Sequence, residues 1–185
     1  MSVLPISLYG TEVLRQRAKP VAALSDEIVR LVMDMFETMH NASGIGLAAT
    51  QVGSTQRVIV LDISDMEETK DLAPMVIINP EIVSREGAWV MEEGCLSIPE
   101  VRDDVERAEN IRLRFKDGQF REIEIDANGL LARVLLHEID HLDGILFIDH
   151  LPKSRRKLHI KALKDIECGE VEVAYPVVST GNVPA

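Results

Sequence analysis

The chain has 185 residues, 46% hydrophobic and 28% charged, with a formal net charge of −11. Such a composition suits one globular domain over residues 1–185 and excludes a disordered chain. The acidic balance argues against bulk nucleic-acid binding, and no apolar run approaches the roughly 18 residues of a membrane span.

The N-terminal MSVLPISLYG lacks the basic and long apolar regions of a signal peptide, and two cysteines are too few for a disulfide framework. A cytoplasmic protein is expected. Residues 1–24 read as an irregular arm with a short helical turn around Thr11–Ala18, ended by Pro20. Ser25 is a good N-cap, with Asp26 and Glu27 where the helix dipole favours negative charge. From there Ile28, Leu31, Val32, Met35, Phe36 and Met39 recur at helical spacing to about Asn41, a stripe expected to be core.

The next stretch, Ser43 to Gly53, has glycines on both sides of Ile45 and then small residues. It describes either a backbone that something approaches closely or a plain turn. Arg57–Ile63 and Met75–Val83 are β-branched strand candidates, separated by an acidic loop over Ser64–Asp71. A short strand is expected at Ala88–Met91, followed by Glu92-Glu93-Gly94-Cys95-Leu96-Ser97-Ile98-Pro99, with a turn at the proline. Ile111–Lys116 and Phe120–Asp126 alternate apolar and polar around Asp117-Gly118, a hairpin signal.

Asn128-Gly129 leads into Leu130–Phe147, which contains His137-Glu138-Ile139-Asp140-His141 on an apolar, helix-forming background. Residues four apart share a helix face, so both imidazoles can meet one ion, with Glu138 about 100° around the axis. This matches H-E-x-x-H, in which the histidines are ligands and the glutamate a general base. A catalytic site needs a third ligand and an open position. The pattern with a third histidine fails, because Phe147 stands at that position. Glu167 or Glu170 downstream, or Cys95 upstream, remain. A closed structural set of Cys95, Cys168, His137 and His141 is the non-catalytic alternative. Asp143-Gly144 closes the helix. Pro152 opens another over Lys153–Ile166, carrying Lys153, Arg155, Arg156, Lys157, Lys161 and Lys164, and residues 167–185 are expected to form a loosely held tail.

Three stretches, GIGLAATQ (44–51), EGCLS (93–97) and HEIDH (137–141), resemble in content, order and spacing the peptide deformylases, which remove the formyl group from new polypeptides. The resemblance implies an α+β fold, with antiparallel strands packed around a central metal-bearing helix. It implies Cys95, His137 and His141 as metal ligands and Glu138 as the proton-transfer group. Gln51, through its side-chain amide, and Leu96, through its backbone N–H, would serve the developing oxyanion. Gly46 would contact the substrate backbone, Ile45 and Val134 would line the methionine pocket, and Glu93 and Arg102 would brace the Cys95 turn. One divalent ion is implied, with Fe²⁺ expected as native and Zn²⁺, Ni²⁺ or Co²⁺ also accepted by a Cys/His₂ set. N-formylmethionyl nascent peptides are the implied substrates, and the basic Lys153–Lys164 helix suggests ribosome docking. Two positions depart from the family pattern: Thr50 stands where proline is usual, and Leu136 where glutamine is common. A thermolysin-like peptidase using Glu167 is the competing enzyme.

Overall fold

The computed structural model describes residues 1–66 and 69–182. Part of the expected Ser64–Asp71 loop and the last three residues of the tail lie outside them. Ser25 caps as expected: its Oγ accepts the N–H of Ile28, and helix α1 runs Asp26–Asn41 with Met35 and Met39 fully buried.

Strands β2 (Gly46–Ala48), β3 (Val58–Leu61), β4 (Met75–Glu86), β7 (Asn110–Lys116) and β8 (Glu122–Asn128) form an antiparallel sheet in the order β2-β3-β4-β7-β8. The sheet is covered on both faces. Along β3, Val58 and Val60 pack with Met35 and Met39 of α1. Ile59 and Leu61 pack with Leu135, Leu136 and Ile139 of α2 (Gly129–Leu142). A strand buried on both sides reads as a continuous apolar run, as Val58–Leu61 does. Each such side chain contributes about 1.5–3 kcal/mol on burial. Leu136 therefore belongs to the core between α2 and the sheet.

A separate antiparallel ribbon pairs β5 (Trp89–Cys95) with β6 (Ile98–Arg107). Here the structure corrects the expected turn at Pro99. The chain reverses at Leu96-Ser97, and Pro99 lies inside β6. The register jumps from Gly94 opposite Arg102 to Cys95 opposite Ile98, leaving residues 99–101 outside the ladder, where a proline loses no hydrogen bond.

The basic helix is also two pieces, α3 (Lys153–Leu158) and α4 (Ile160–Glu167), broken at His159. His159 and Arg155 both reach the buried Asp103 on β6, at 2.7 and 2.6 Å, and this tie accompanies the break. Leu163 and Ile166 of α4 join Ile98, Val101, Phe147 and the N-terminal Leu8 and Leu14 in another core cluster.

The N-terminal arm contributes β1 (Ile6–Ser7) and a 3-10 turn at Glu12–Arg15. After Cys168 the chain returns along the body and pairs β9 (Val177–Val178) in parallel with β1.

Candidate metal centre

Helix α2 begins at Gly129 and ends on Asp143, followed by Gly144 at φ +75° packed against the backbone of Arg15. Its buried face presents Arg133, His137 and His141 one turn apart. The ribbon turn brings Cys95 to the same place. Cys95 Sγ lies 3.1 Å from His141 Nε2, and the ligand atoms of Cys95, His137 and His141 all fall within 4.8 Å of one another. The two rings meet edge to face, with centroids 5.0 Å apart.

Thiol and imidazoles perturb one another. Although burial opposes it, the charges of His141 and His137 hold the Cys95 thiol well below its ordinary value. Burial alone would lower His137, but hydrogen bonds to Cys95 and Glu93 raise it to about 10. Positive charge beside the thiol favours the thiolate, and a bound divalent cation would supply that charge in the same place.

His137 is oriented from behind. Its Nδ1 is 2.9 Å from Glu93 Oε2, leaving Nε2 for the site. Glu93 is gripped by Arg107 at 2.6 and 3.0 Å and by Arg133 at 2.8 Å. Burial works to raise the Glu93 carboxyl, but His137 and Arg107 outweigh it and hold it well below the usual carboxylate range. Arg107 also reaches Asp140 at 2.6 Å, and Asp140 meets His150 at 2.7 Å. The expected Glu93–Arg102 brace is therefore corrected. Arg102 is exposed and lies 3.8 Å from Glu92, while Arg107, five residues further along the strand, occupies the buried position. Arg133 was also missed, although an arginine inside LLARVLL signals a buried carboxylate partner.

The glycine loop closes the other side. Gln51 is 2% exposed, and its Oε1 accepts the N–H of Ala48 at 2.9 Å. That bond fixes which end is which: Nε2 faces Ser97 Oγ at 3.2 Å and Cys95 Sγ at 3.6 Å. Thr50 is fully buried and donates to the carbonyl of His141 at 3.1 Å, stitching the loop to the metal helix. Gly46 needs to be glycine, since a Cβ there would lie 2.7 Å from Glu138 Oε1 and 3.0 Å from Val134.

Ile45, Gly46, Gln51, Cys95, Leu96, Val134, His137 and Glu138 line one cleft of about 610 Å³, and His141 sits beneath it. Glu138 is buried with Oε2 unpartnered among the described residues, as is His141 Nδ1. Burial pushes the Glu138 carboxyl up, against the lowering effect of His137 and His141. One soft thiolate, two imidazoles and an unsatisfied carboxylate beside them fit a divalent ion with an open position. Neither alternative set is assembled. Among the described residues, only Cys95, His137 and His141 form a potential ligand group of three or more, and Cys168 is exposed at the end of α4. Glu167 packs beside Gly10 instead.

The fold and this centre define a metal-dependent hydrolase with one ion-binding position. The family model for polypeptide deformylase matches residues 3–157. A peptide deformylase of Chlorobium phaeovibrioides is 52% identical over 175 residues, covering 95% of this chain and 92% of the relative. The crystal structure of a peptide deformylase from Legionella pneumophila superposes with a TM-score of 0.83 at 40% identity, covering 91% of this chain and 98% of that one. The Ehrlichia chaffeensis peptide deformylase solved in complex with actinonin gives 0.83 at 38% identity, covering 93% and 100%. The chain belongs to the polypeptide deformylase family, the hydrolases that remove the N-formyl group from newly made polypeptides.

Proposed function

We propose that residues 1–185 act as one catalytic domain in which Cys95, His137 and His141 hold the divalent ion and Glu138 moves the protons of formamide hydrolysis. One observation carries this reading: a thiol and two imidazoles with ligand atoms within 4.8 Å of one another, beside a buried carboxylate with an unsatisfied oxygen. When bound, the ion supplies Lewis acidity, bringing the pKa of water from 15.7 to about 7. Glu138, held up by burial, accepts the proton of the attacking water as the new C–O bond forms. The formyl carbonyl becomes an oxyanion, which the Gln51 amide and the Leu96 N–H stabilise. Glu138 then hands the proton to the nitrogen as the C–N bond breaks, leaving formate and a free N-terminal amine. Gly46 meets the substrate backbone, and Ile45 and Val134 receive the methionine side chain. The test is formate release from formyl-methionyl peptides. Glu138→Ala is expected to keep its metal and lose about 10²–10⁴ in kcat; a metal-bearing variant with full activity would overturn the assignment.

Fe²⁺ is the proposed native ion on the family resemblance, since a thiolate beside two imidazoles accepts Fe²⁺, Zn²⁺, Ni²⁺ and Co²⁺ alike. Metal analysis of anaerobically prepared protein, with activity compared across Fe²⁺, Zn²⁺, Ni²⁺ and Co²⁺, decides it. No helix among the described residues is long and apolar enough to cross a membrane. A cytoplasmic enzyme meeting nascent chains at the ribosome is the setting we propose, with the basic residues of α3 and α4 as the docking face. Arg155 is committed to Asp103, so charge reversal belongs at the exposed Lys157 and Lys161. Unchanged cosedimentation with ribosomes would remove the docking role.

A further inference from the structure

The C-terminal segment has a part in the cleft that the ligands, Glu138, Gln51 and the methionine-pocket residues leave unassigned. Residues 171–178 alternate strictly: Val171, Val173, Tyr175 and Val177 are partly covered, while Glu172, Ala174, Pro176 and Val178 are exposed. The chain bends at Ala174 and Tyr175 and only Val177–Val178 is strand, but the alternation applies one face of the whole segment to the body. Val171 and Val177 pack against the cluster beneath the ribbon, and Val173 and Tyr175, between them, line the active-site cleft.

The segment is fixed at both ends and in the middle. At its far end the Ile6 N–H donates to Pro176 and the Leu8 N–H to Val178, both at 2.8 Å, within the β1–β9 pairing. Near its start the Gly169 and Glu170 N–H groups close the end of α4. In the middle the Tyr175 hydroxyl donates to the Leu96 carbonyl at 2.8 Å. Leu96 belongs to the turn that carries Cys95, and the carbonyl of the next residue, Ser97, accepts the Tyr9 N–H at 2.8 Å. The N-terminal arm and the C-terminal segment thus hold the same turn.

We propose that Val173 and Tyr175 form a wall of the peptide cleft that recognises apolar side chains following the first methionine of the substrate. The proposal rests on the deformylase reading for its substrate class. Ile45 and Val134 are assigned to the methionine side chain, and Val173 and Tyr175 line the same cleft outside that pocket, so they are assigned to the residues beyond it. A branched aliphatic side chain and an aromatic ring whose hydroxyl is already engaged offer apolar surface. Glu92, Glu100 and Arg102 of the ribbon line the same cleft, so its charged groups are of both signs and the wall's own contribution is apolar contact.

The experiment uses the full chain and two readouts. Metal-loaded protein is assayed with formyl-Met-Leu-Leu and with formyl-methionine amide, and product binding is measured by calorimetry with Met-Leu-Leu and methionine amide. For Val173→Asp the preference for the longer ligand is expected to fall about tenfold in kcat/KM and in affinity, with Val173→Ile restoring it. Glu172→Gln, on the outward face, is expected to leave the preference as it is, and thermal unfolding shows whether each variant is folded. An unchanged preference in folded Val173→Asp, or an equal loss for long and short ligands, overturns the wall. Absence of formate release by the wild type would instead strike the deformylase reading, and the calorimetric preference would still decide the wall.

Discussion

The two halves of the centre are held in different ways. His137, Glu138 and His141 sit on one helix, where four-residue spacing puts two rings on one face whatever else the chain does. Cys95, Leu96 and Gln51 sit on a ribbon turn and a short 3-10 turn, where the one local constraint is the Ala48 N–H bonded to Gln51 Oε1. Their placement comes from distant partners: Ser97 Oγ for Gln51, Tyr9 and Tyr175 for the turn, and Thr50 for the join to the helix. The helical half should therefore tolerate changes at its margins, and the turn-borne half should be sensitive to residues far from it in sequence.

The largest test strikes the junction between the halves. Glu93→Ala leaves Arg107 and Arg133 buried without their shared carboxylate. It is expected to cost about 3–5 kcal/mol, read by urea unfolding. A loss below about 1 kcal/mol would show that the arginines find other partners. Next, Gln51→Ala removes one oxyanion donor while sparing every ligand. Turnover should fall about 10²–10³, with metal content unchanged by elemental analysis.

A smaller effect separates the ribbon from the C-terminal helices. Asp103→Asn removes the charge that Arg155 and His159 grip, at an expected cost of about 2 kcal/mol near neutral pH. Burial would raise Asp103, but hydrogen bonds from Arg155 and His159 lower it to about 2 from 3.8. A depressed carboxylate gives stability that is full above its unfolded value and lost as pH falls through its folded value. The gap between wild type and Asp103→Asn should close between pH 3.8 and about 2 in paired unfolding curves. Smallest is Thr50→Val, which removes the hydroxyl bonded to His141. About 1 kcal/mol, or ~2–4 °C in Tm, is expected by calorimetry, with activity falling more steeply than stability if the stitch aims Gln51.

Much of the architecture was legible because its signals are local. Ser25 and the apolar spacing behind it marked α1, the unbroken apolar run marked β3, and Asp117-Gly118 marked the hairpin between β7 and β8. Strand β6 was hidden by Pro99 and four acidic residues, Glu100, Asp103, Asp104 and Glu106, because the bulge that accommodates the proline is a property of pairing and not of composition. The break at His159 was hidden for a like reason, since Asp103 lies 56 residues away. The alternation of Val171, Val173, Tyr175 and Val177 was available in the sequence, yet the Ile6–Ser7 edge that pairs with its last part, Val177–Val178, was not.

Of the chemistry, the sequence by itself determined the histidine pair and its glutamate, since helical spacing converts order along the chain into a shared face. It could offer Cys95, Glu167 and Glu170 as third ligands, and Cys168 as a fourth beside Cys95, but not choose among them by geometry. Only the tertiary structure decided that Cys95 meets the rings, that Arg107 and not Arg102 holds Glu93, and that Gln51 turns its nitrogen inward. Each of these brings groups 14 to 46 residues apart within hydrogen-bonding distance, with the local Ala48 bond adding to the aim of Gln51. Separation of that order carries no periodicity to read, and burial of charge without a partner is the constraint that fixes it.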